Sequence, residues 1–268
     1  MNRIEAKFRT LKKDRRKALI TFITSGYPDL NTTGKLVLEM EKQGADIIEL
    51  GVPFSDPLAD GPTIQEASQK ALANKITLGK ILNFVKGLRQ KTDIPLALMT
   101  YYNPVYKFGL AKFVRQALKC GVDGVIIPDL PPEEAGKLNS IRGNLAVIYF
   151  LSPTSSPARM KIVAGASHGF IYYVSLTGVT GVRRRLAADL KNRLRQIKKL
   201  TSTPVAVGFG ISTPLQAREV AAQADAIIVG SAIIDVIRRY TAKGQAVEKT
   251  GKFVRSLRKA IDRRTYGG

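Results

Sequence analysis

The chain has 268 residues, of which 44% are hydrophobic, with 43 Lys and Arg against 21 Asp and Glu for a formal net charge of +22. That much apolar material excludes a disordered or low-complexity chain, and a single cysteine, Cys120, excludes an internal disulfide framework and fits a reducing, cytoplasmic setting. Taken alone, the charge points to nucleic acid or another anionic surface.

Predicted elements alternate from end to end. A helix is expected over residues 2–13, ahead of a first strand at 18–24, ALITFIT. The first 17 residues are basic but lack a continuous apolar stretch, so no secretory signal is expected. A second strand, 46-DIIELG-51, leads into the long loop 51-GVPFSDPLADGPTIQ-65, and residues 63–90 read as two helices. Strands follow at 95–101 and 123–129, separated by 107-KFGLAKFVRQALKCG-121. In that segment Leu110, Phe113, Val114, Ala117 and Leu118 form one helical stripe, and Gly121 caps it. The remaining strands are 145–150, 169–175, 204–209 and 225–230. Most are apolar on consecutive positions, the mark of a parallel sheet buried on both faces. Apolar runs such as 145–151 are strand-sized, far below the roughly 20 residues that span a bilayer, so no membrane segment is expected.

Eight strand–helix units in one chain predict a single domain, residues 1–268, folded as a closed (β/α)8 TIM barrel. An extra N-terminal helix and additional helices after strands 2 and 8 complete it. The alternative is a doubly wound open sheet. It usually has fewer strands, and 25-SGYPDLN-31 lacks its glycine fingerprint.

The charge is uneven. Residues 1–134 hold 20 basic and 15 acidic side chains, residues 135–268 hold 23 and 6. The basic runs 183–199 and 238–264 read as helices, with Leu190, Leu194 and Ile197 in the first and Val254, Leu257 and Ile261 in the second at helical spacing. A solvated helix face accounts for such runs better than a nucleic-acid surface.

Chemistry in such a barrel sits at the C-terminal ends of the strands. Glu49 lies there, between Ile48 and Leu50, and the alternation points it at the barrel interior. A carboxylate so placed is costly unless paired or functional. No basic residue lies nearby in sequence, and burial would raise its pKa, as suits an acid–base catalyst. By residue type alone, Asp56 and Asp60 read as turn residues before Pro57 and Gly61. Gly210, Gly230 and Ser231 follow the last two strands. Glycine there lets backbone N–H groups approach a phosphate at a helix N-terminus. The Gly-rich, basic loop 176–185 is a candidate lid. The lone His168 precedes a strand, at the opposite face, and Cys120 has no histidine to activate it, so triad, thiol and histidine-metal chemistries lack parts. No lysine ends a strand, which disfavours a Schiff-base aldolase. What remains is carboxylate acid–base chemistry on a phosphorylated small molecule.

Several stretches identify a family. The segments 49-ELGVPFSDPLADGPTIQ-65, 100-TYYNPVYKFG-109, 128-PDLPPEE-134, 169-GFIYYVSLTGVTGVR-183, 207-VGFGIS-212 and 230-GSAI-233 resemble the tryptophan synthase alpha chain, and the resemblance runs over essentially the whole length. It implies retro-aldol cleavage of indole-3-glycerol phosphate to indole and glyceraldehyde 3-phosphate. Glu49 would be the acid–base catalyst and Asp60 the partner of the indole N–H, which overrides the turn reading of Asp60. Tyr173 would position substrate and Glu49. Thr180 would meet Asp60 when the lid closes. Gly181, Phe209, Gly210, Gly230 and Ser231 would hold phosphate, and Phe22, Leu98 and Phe209 would wall the indole pocket. Pro53 and Asp56 would meet a beta chain in an alpha2-beta2 complex. That partner carries pyridoxal phosphate, and the alpha chain needs no cofactor or metal. A stand-alone indole-releasing lyase is the nearest alternative; a basic nucleic-acid-binding barrel is a distant one, without a nucleic-acid motif, and none is expected as partner.

Overall fold

The apolar runs form β1 (Ala18–Thr24), β2 (Ile47–Gly51), β3 (Leu96–Met99), β4 (Gly124–Ile126), β5 (Ala146–Ile148), β6 (Phe150–Leu151), β7 (Ile171–Val174), β8 (Val205–Gly208) and β9 (Ala226–Val229). The structure is a computed structural model. It describes residues 2–174, 183–208 and 210–262, with backbone alone for 183–189. All pairings are parallel, in the order β5-β4-β3-β2-β1-β9-β8-β7-β6. The two outermost strands, β5 and β6, are consecutive in the chain and separated only by Tyr149, so the sheet closes into a barrel. The single strand expected at 145–150 is divided because this segment changes partner: β5 pairs with β4 and β6 with β7. At the change, the carbonyl of Tyr149 accepts the Tyr172 N–H at 3.0 Å.

Inward positions keep one register around the barrel. Phe22 stands beside Glu49, Glu49 beside Ala97, and Ala97 beside Gly124. Across the closure, Tyr172 stands beside Ala206, and Ala206 beside Ala226. Small residues recur because large ones fill the centre from elsewhere. Helix α1 (Arg3–Lys13) closes the barrel's lower end, packing Ile4, Phe8 and Leu11 against the interior cluster that includes Ile20, Ile47, Phe170 and Tyr172. A Cβ at Gly124 would meet Ile4 at 2.8 Å. Asn2 caps α1, accepting the Ile4 N–H at 2.8 Å. Its amide in turn donates to the carbonyls of Asp123 and Asn144 at 2.6 and 2.8 Å.

Helices α2 (Leu30–Lys42), α3 (Pro62–Ala73), α4 (Leu78–Leu88), α5 (Tyr102–Phe108), α6 (Leu110–Cys120), α7 (Gly136–Ile141), α8 (Pro157–Ala166), α9 (Arg183–Lys198), α10 (Pro214–Ala221), α11 (Ser231–Thr241) and α12 (Ala246–Asp262) accompany the sheet. The expected N-terminal helix, the pair after β2 and the pair after β9 are all present. Residues 107–121 divide at Gly109. In α6, Phe113, Val114 and Ala117 are buried as the stripe requires, while Leu118 stands at the edge and is exposed. Gly121 adopts φ +87°, a left-handed turn that only glycine enters without strain. Leu194 and Ile197 of α9 and Val254, Leu257 and Ile261 of α12 are buried.

The same polar device fastens three strand entries. Asp46, just before β2, accepts the Leu19 N–H of β1 at 2.9 Å. Asp123, before β4, accepts Leu96 N–H of β3 at 2.9 Å, and Asp225, before β9, accepts Val205 N–H of β8 at 3.0 Å. Each also pairs with a cation, Arg258, Arg89 and Lys198 respectively. These acids sit at the Gly-Ala-Asp and Gly-Val-Asp turns and before the last strand. Much of the basic excess has a place there too. α2, α4, α6, α9, α10 and α12, which run down the barrel towards the strands' N-terminal end, all carry Lys or Arg in the last turn. Cations at helix C-termini complement the helix dipole. Lys12, Arg15, Arg16 and Lys17 add to that rim and, with Lys198, line a groove on this face. Among the described residues no helix is long and apolar enough to cross a membrane.

Candidate active site

At the opposite face, the C-terminal ends of the strands, lies a cavity of about 260 Å³. Phe22 from β1, Met99 from β3, Tyr172 from β7 and Ile228 from β9 supply its walls, the segment Ala59–Ile64 covers it, and Gly210, Ile211, Gly230 and Ser231 form one end.

Glu49 lies on the inward face of β2, level with Phe22, and is completely buried. Neither carboxyl oxygen has a hydrogen-bond partner among the described residues. Burial without a compensating cation pushes its pKa up to about 8, so the side chain is a protonated acid at neutral pH. The sequence-based alternative, a Glu paired with Lys or Arg, is not what the structure contains.

Asp60 arrives from above on the β2 loop and is half-buried. Burial raises its pKa to about 6, with a hydrogen bond from Tyr101 pulling the other way. Tyr172 lies within electrostatic reach of both acids. Its hydroxyl is held well above the ordinary phenol range by burial first, then by the negative charges of Glu49 and Asp60. Space for that ring comes from Gly208, where a Cβ would lie 2.8 Å from the Tyr172 hydroxyl.

Two expected residues face the other way. Tyr173 pairs with Leu151 and Val207 and belongs to the layer between sheet and helices; Tyr172, one residue earlier, is the tyrosine that lines the cavity. Leu98 likewise packs outward, and Met99 takes the wall position assigned to it. Both displacements have one cause. Side chains alternate along a strand, so an error of one residue exchanges the two faces. In 171-IYYV-174 and 96-LALM-99, apolar or aromatic residues occupy both faces, and composition carries no parity signal. The parity could have been taken from Glu49, because the register carries its inward face to Ala97 and thence to Met99.

The phosphate candidates divide. Gly210, Gly230 and Ser231 line one end of the cavity; Gly181, Phe209 and Thr180 lie outside the described residues. Gly210 has φ +75°, a conformation open to glycine. Gly230 precedes α11, whose N-terminus carries no side-chain cap. The neighbouring α10 is closed by a capping box, with Thr213 and Gln216 satisfying its first N–H groups. Of these two helices the one with an open N-terminus is α11, with its partial positive charge at the cavity end; α3, which begins at Pro62 over the same cavity, has no side-chain cap either. Of the two partner-contact candidates, Pro53 is buried and Asp56 is exposed, while Leu58, two residues on, is 92% exposed. Tyr101, absent from the sequence expectations, links the loops after β2 and β3. Its hydroxyl accepts the Ala59 N–H at 2.9 Å, and its ring packs on Phe54. Among the described residues no group of three or more His, Cys, Asp or Glu is placed to hold a metal ion.

Comparison with known proteins gives one answer. The family model described as tryptophan synthase alpha chain matches residues 8–262. The tryptophan synthase alpha chain of Geotalea uraniireducens is 51% identical over 263 residues, covering 97% of this chain and 98% of its own length, and that of Geotalea daltonii is 53% identical over 245 residues, covering 91% and 93%. Among solved structures, tryptophan synthase subunit alpha from Legionella pneumophila superposes with a TM-score of 0.91 at 41% identity, covering 98% of this chain and 100% of that one. A chain of Mycobacterium tuberculosis tryptophan synthase does so with a TM-score of 0.86 at 33% identity, covering 97% and 98%.

Proposed function

The chain belongs to the tryptophan synthase alpha chain family, and from that premise we propose how its own residues perform the family's reaction. It is a lyase that cleaves indole-3-glycerol phosphate to indole and glyceraldehyde 3-phosphate in tryptophan biosynthesis. The observation that carries the residue assignment is Glu49, a fully buried carboxylic acid with no hydrogen-bond partner among the described residues, one strand position from a cavity wall.

The substrate's phosphate sits at the open N-terminus of α11, against Gly210, Gly230 and Ser231. Its indole ring lies between Phe22 and Met99, with the ring N–H towards Asp60. Glu49, protonated, gives its proton to indole C3. The bond from C3 to the hydroxyl-bearing side-chain carbon then breaks, its electrons remaining with the ring, and the hydroxyl proton passes to Glu49 as the aldehyde forms. The residue ends as it began. Asp60, ionised, stabilises the positive charge that develops on the ring nitrogen when C3 is protonated. Because Glu49 has no solvent exposure, its side chain or its cover moves when substrate is engaged. The assigned chemistry is acid–base throughout and calls for no cofactor in this chain.

The two acids titrate on opposite sides of neutrality, and the signs are fixed by their roles. Asp60 works deprotonated, so kcat/KM rises as pH passes about 6. Glu49 works protonated, so it falls as pH passes about 8. A bell with those limbs is the expected profile; activity that keeps rising to about pH 9.5 would remove Glu49 as the acid.

Membership implies a beta-chain partner. We propose an alpha2-beta2 complex in the cytoplasm, contacted through the exposed part of the β2 loop at Asp56 and Leu58, with pyridoxal phosphate held by the beta chain. Mixing with a beta chain should yield a complex on gel filtration and faster cleavage. An alpha chain that neither binds nor accelerates is a stand-alone lyase.

A further inference from the structure

The groove at the barrel's lower end has a volume of about 480 Å³ and lies between the turn from α1 to β1, the end of α9 and the entry of β8. Five cations line it, Lys12, Arg15, Arg16, Lys17 and Lys198, against one acid, Asp225. Thr201, Ser202 and Thr203 bring hydroxyl groups, and Phe8, Leu11 and Pro204 give it an apolar wall. Three of the cations are engaged. Arg16 pairs with Asp262 of α12 at 3.3 Å, Lys198 pairs with Asp225 at 2.7 Å, and the Lys17 ammonium donates to the Ala224 carbonyl at 2.7 Å. Both oxygens of Asp225 are occupied, one by Lys198 and the other by the Val205 N–H. Lys12 and Arg15 are exposed and make no side-chain hydrogen bond or ion pair among the described residues.

The helix end does not account for Arg15. Helix α1 finishes at Lys13, and the turn after it satisfies the last carbonyls from the backbone: Arg15 N–H bonds the Lys12 carbonyl at 3.2 Å, and Arg16 N–H bonds the Leu11 carbonyl at 2.8 Å. In such a turn the residue after the cap is left-handed and is usually glycine. Here it is Arg15, at φ +54°. A side chain strains the backbone in that conformation, and glycine would serve the turn better. The fold therefore gives no reason for a side chain at residue 15, yet one stands there, charged and unpaired, on the wall of a groove.

We propose that this groove is a second anion site, at the opposite end of the barrel from the catalytic cavity, and that it takes a small molecule bearing a chain of two or more phosphates. Its cations come from separate segments and spread along the groove, so a single phosphate cannot meet them all, whereas linked phosphates present charge at successive positions. Arginine forks and lysine ammonium groups both suit phosphate oxygens. With Asp225 already engaged on both oxygens, the lining keeps an excess of positive charge for a ligand. The catalytic cavity is built differently: Gly210, Gly230 and Ser231 form its phosphate end, and no lysine or arginine lines it among the described residues. That end suits one phosphate held by backbone N–H groups.

The test is calorimetric titration of the full chain with inorganic tripolyphosphate, orthophosphate and ATP at about 0.15 M ionic strength, where diffuse attraction to a basic protein is screened. Tripolyphosphate should bind with a stoichiometry of about one, and orthophosphate roughly tenfold or more weakly. ATP separates the two sources of such a phosphate chain: tighter binding than tripolyphosphate places a nucleoside on the apolar wall, and equal binding makes the chain of phosphates the whole ligand. Lys12→Ala combined with Arg15→Gly should weaken tripolyphosphate about tenfold or more. Arg15→Gly alone should melt no lower than the parent, because glycine relieves the left-handed turn, so its share of the loss is not misfolding. Cleavage kinetics of both variants should match the parent. Arg255→Ala is the control for bulk charge: it removes an exposed cation of α12 that lines a different depression, and should leave binding unchanged. No binding at about 1 mM tripolyphosphate overturns the proposal. So does equal affinity for orthophosphate, parental affinity in the double variant, or a loss in Arg255→Ala as large as in Arg15→Gly.

Discussion

Glu49→Gln abolishes indole release, with a fall in turnover of about a thousandfold or more, in line with the loss of a general acid and base acting at one centre. Glutamine has the same size and sits in the same place, but its amide can neither give a proton to C3 nor take one from the hydroxyl. Substrate affinity should change little, since the phosphate end of the cavity is untouched. The same variant should be more stable than its parent. Glu49 has a folded pKa of about 8 against 4.5 for the free side chain, so between those pH values the folded chain holds a proton that the unfolded chain has lost. Its contribution to stability therefore falls as pH rises through that window. Glutamine has no such dependence. The gap between the two proteins should open from about pH 4.5 and reach on the order of 4 kcal/mol by about pH 8, at about 1.4 kcal/mol per pKa unit. Denaturant melts of both proteins at about pH 5 and about pH 8 measure it. An inactive variant with an unchanged gap would mean that Glu49 is not buried as a neutral acid, and near-normal turnover would remove it from the chemistry.

Asp60→Asn should cost about a hundredfold in kcat, with a smaller change in KM. Asparagine keeps the shape, but it brings no negative charge to the ring nitrogen. The charge matters chiefly when C3 is protonated and the ring becomes cationic, so the loss belongs to the transition state. The acidic limb near pH 6 should disappear in the same variant, because the group responsible for it has gone. Single-turnover cleavage of indole-3-glycerol phosphate across roughly pH 5–9 tests both. A variant that retains the limb would assign it to another group.

The barrel was legible because its strands announce themselves twice, by apolar runs and by the acids and glycines that return the chain to the sheet. Glu49 was legible for a related reason: a lone carboxylate between Ile48 and Leu50 is energetically anomalous, and the anomaly marks both its facing and its chemistry. Asp60 was not, since a turn aspartate has an ordinary explanation and only the surrounding motif overrides it. Tyr172 and Met99 were missed by one residue each, where both strand faces are apolar and alternation carries no information. Tyr101 was invisible for a different reason. Its bond to Ala59 depends on where the β2 loop comes to rest, 42 residues away in sequence. The net charge misled when read as a total and became intelligible once divided among helix ends and strand entries.

Those strand entries bear on how this barrel can be taken apart and recombined. The aspartates precede β2, β4 and β9 and hold backbone N–H groups of β1, β3 and β8. With β5 and β6 taken as the one barrel strand they form together, each bond joins an odd strand to the even strand that follows it. A chimaera whose crossover falls inside one of these couples must find, in foreign sequence, an acid of the right reach, or it leaves an N–H stranded at a buried strand entry. A crossover placed between couples severs none of the three. The interchangeable unit of this chain is accordingly a pair of strands with their helices, and fragment exchange with its relatives should respect that boundary rather than the single strand–helix repeat.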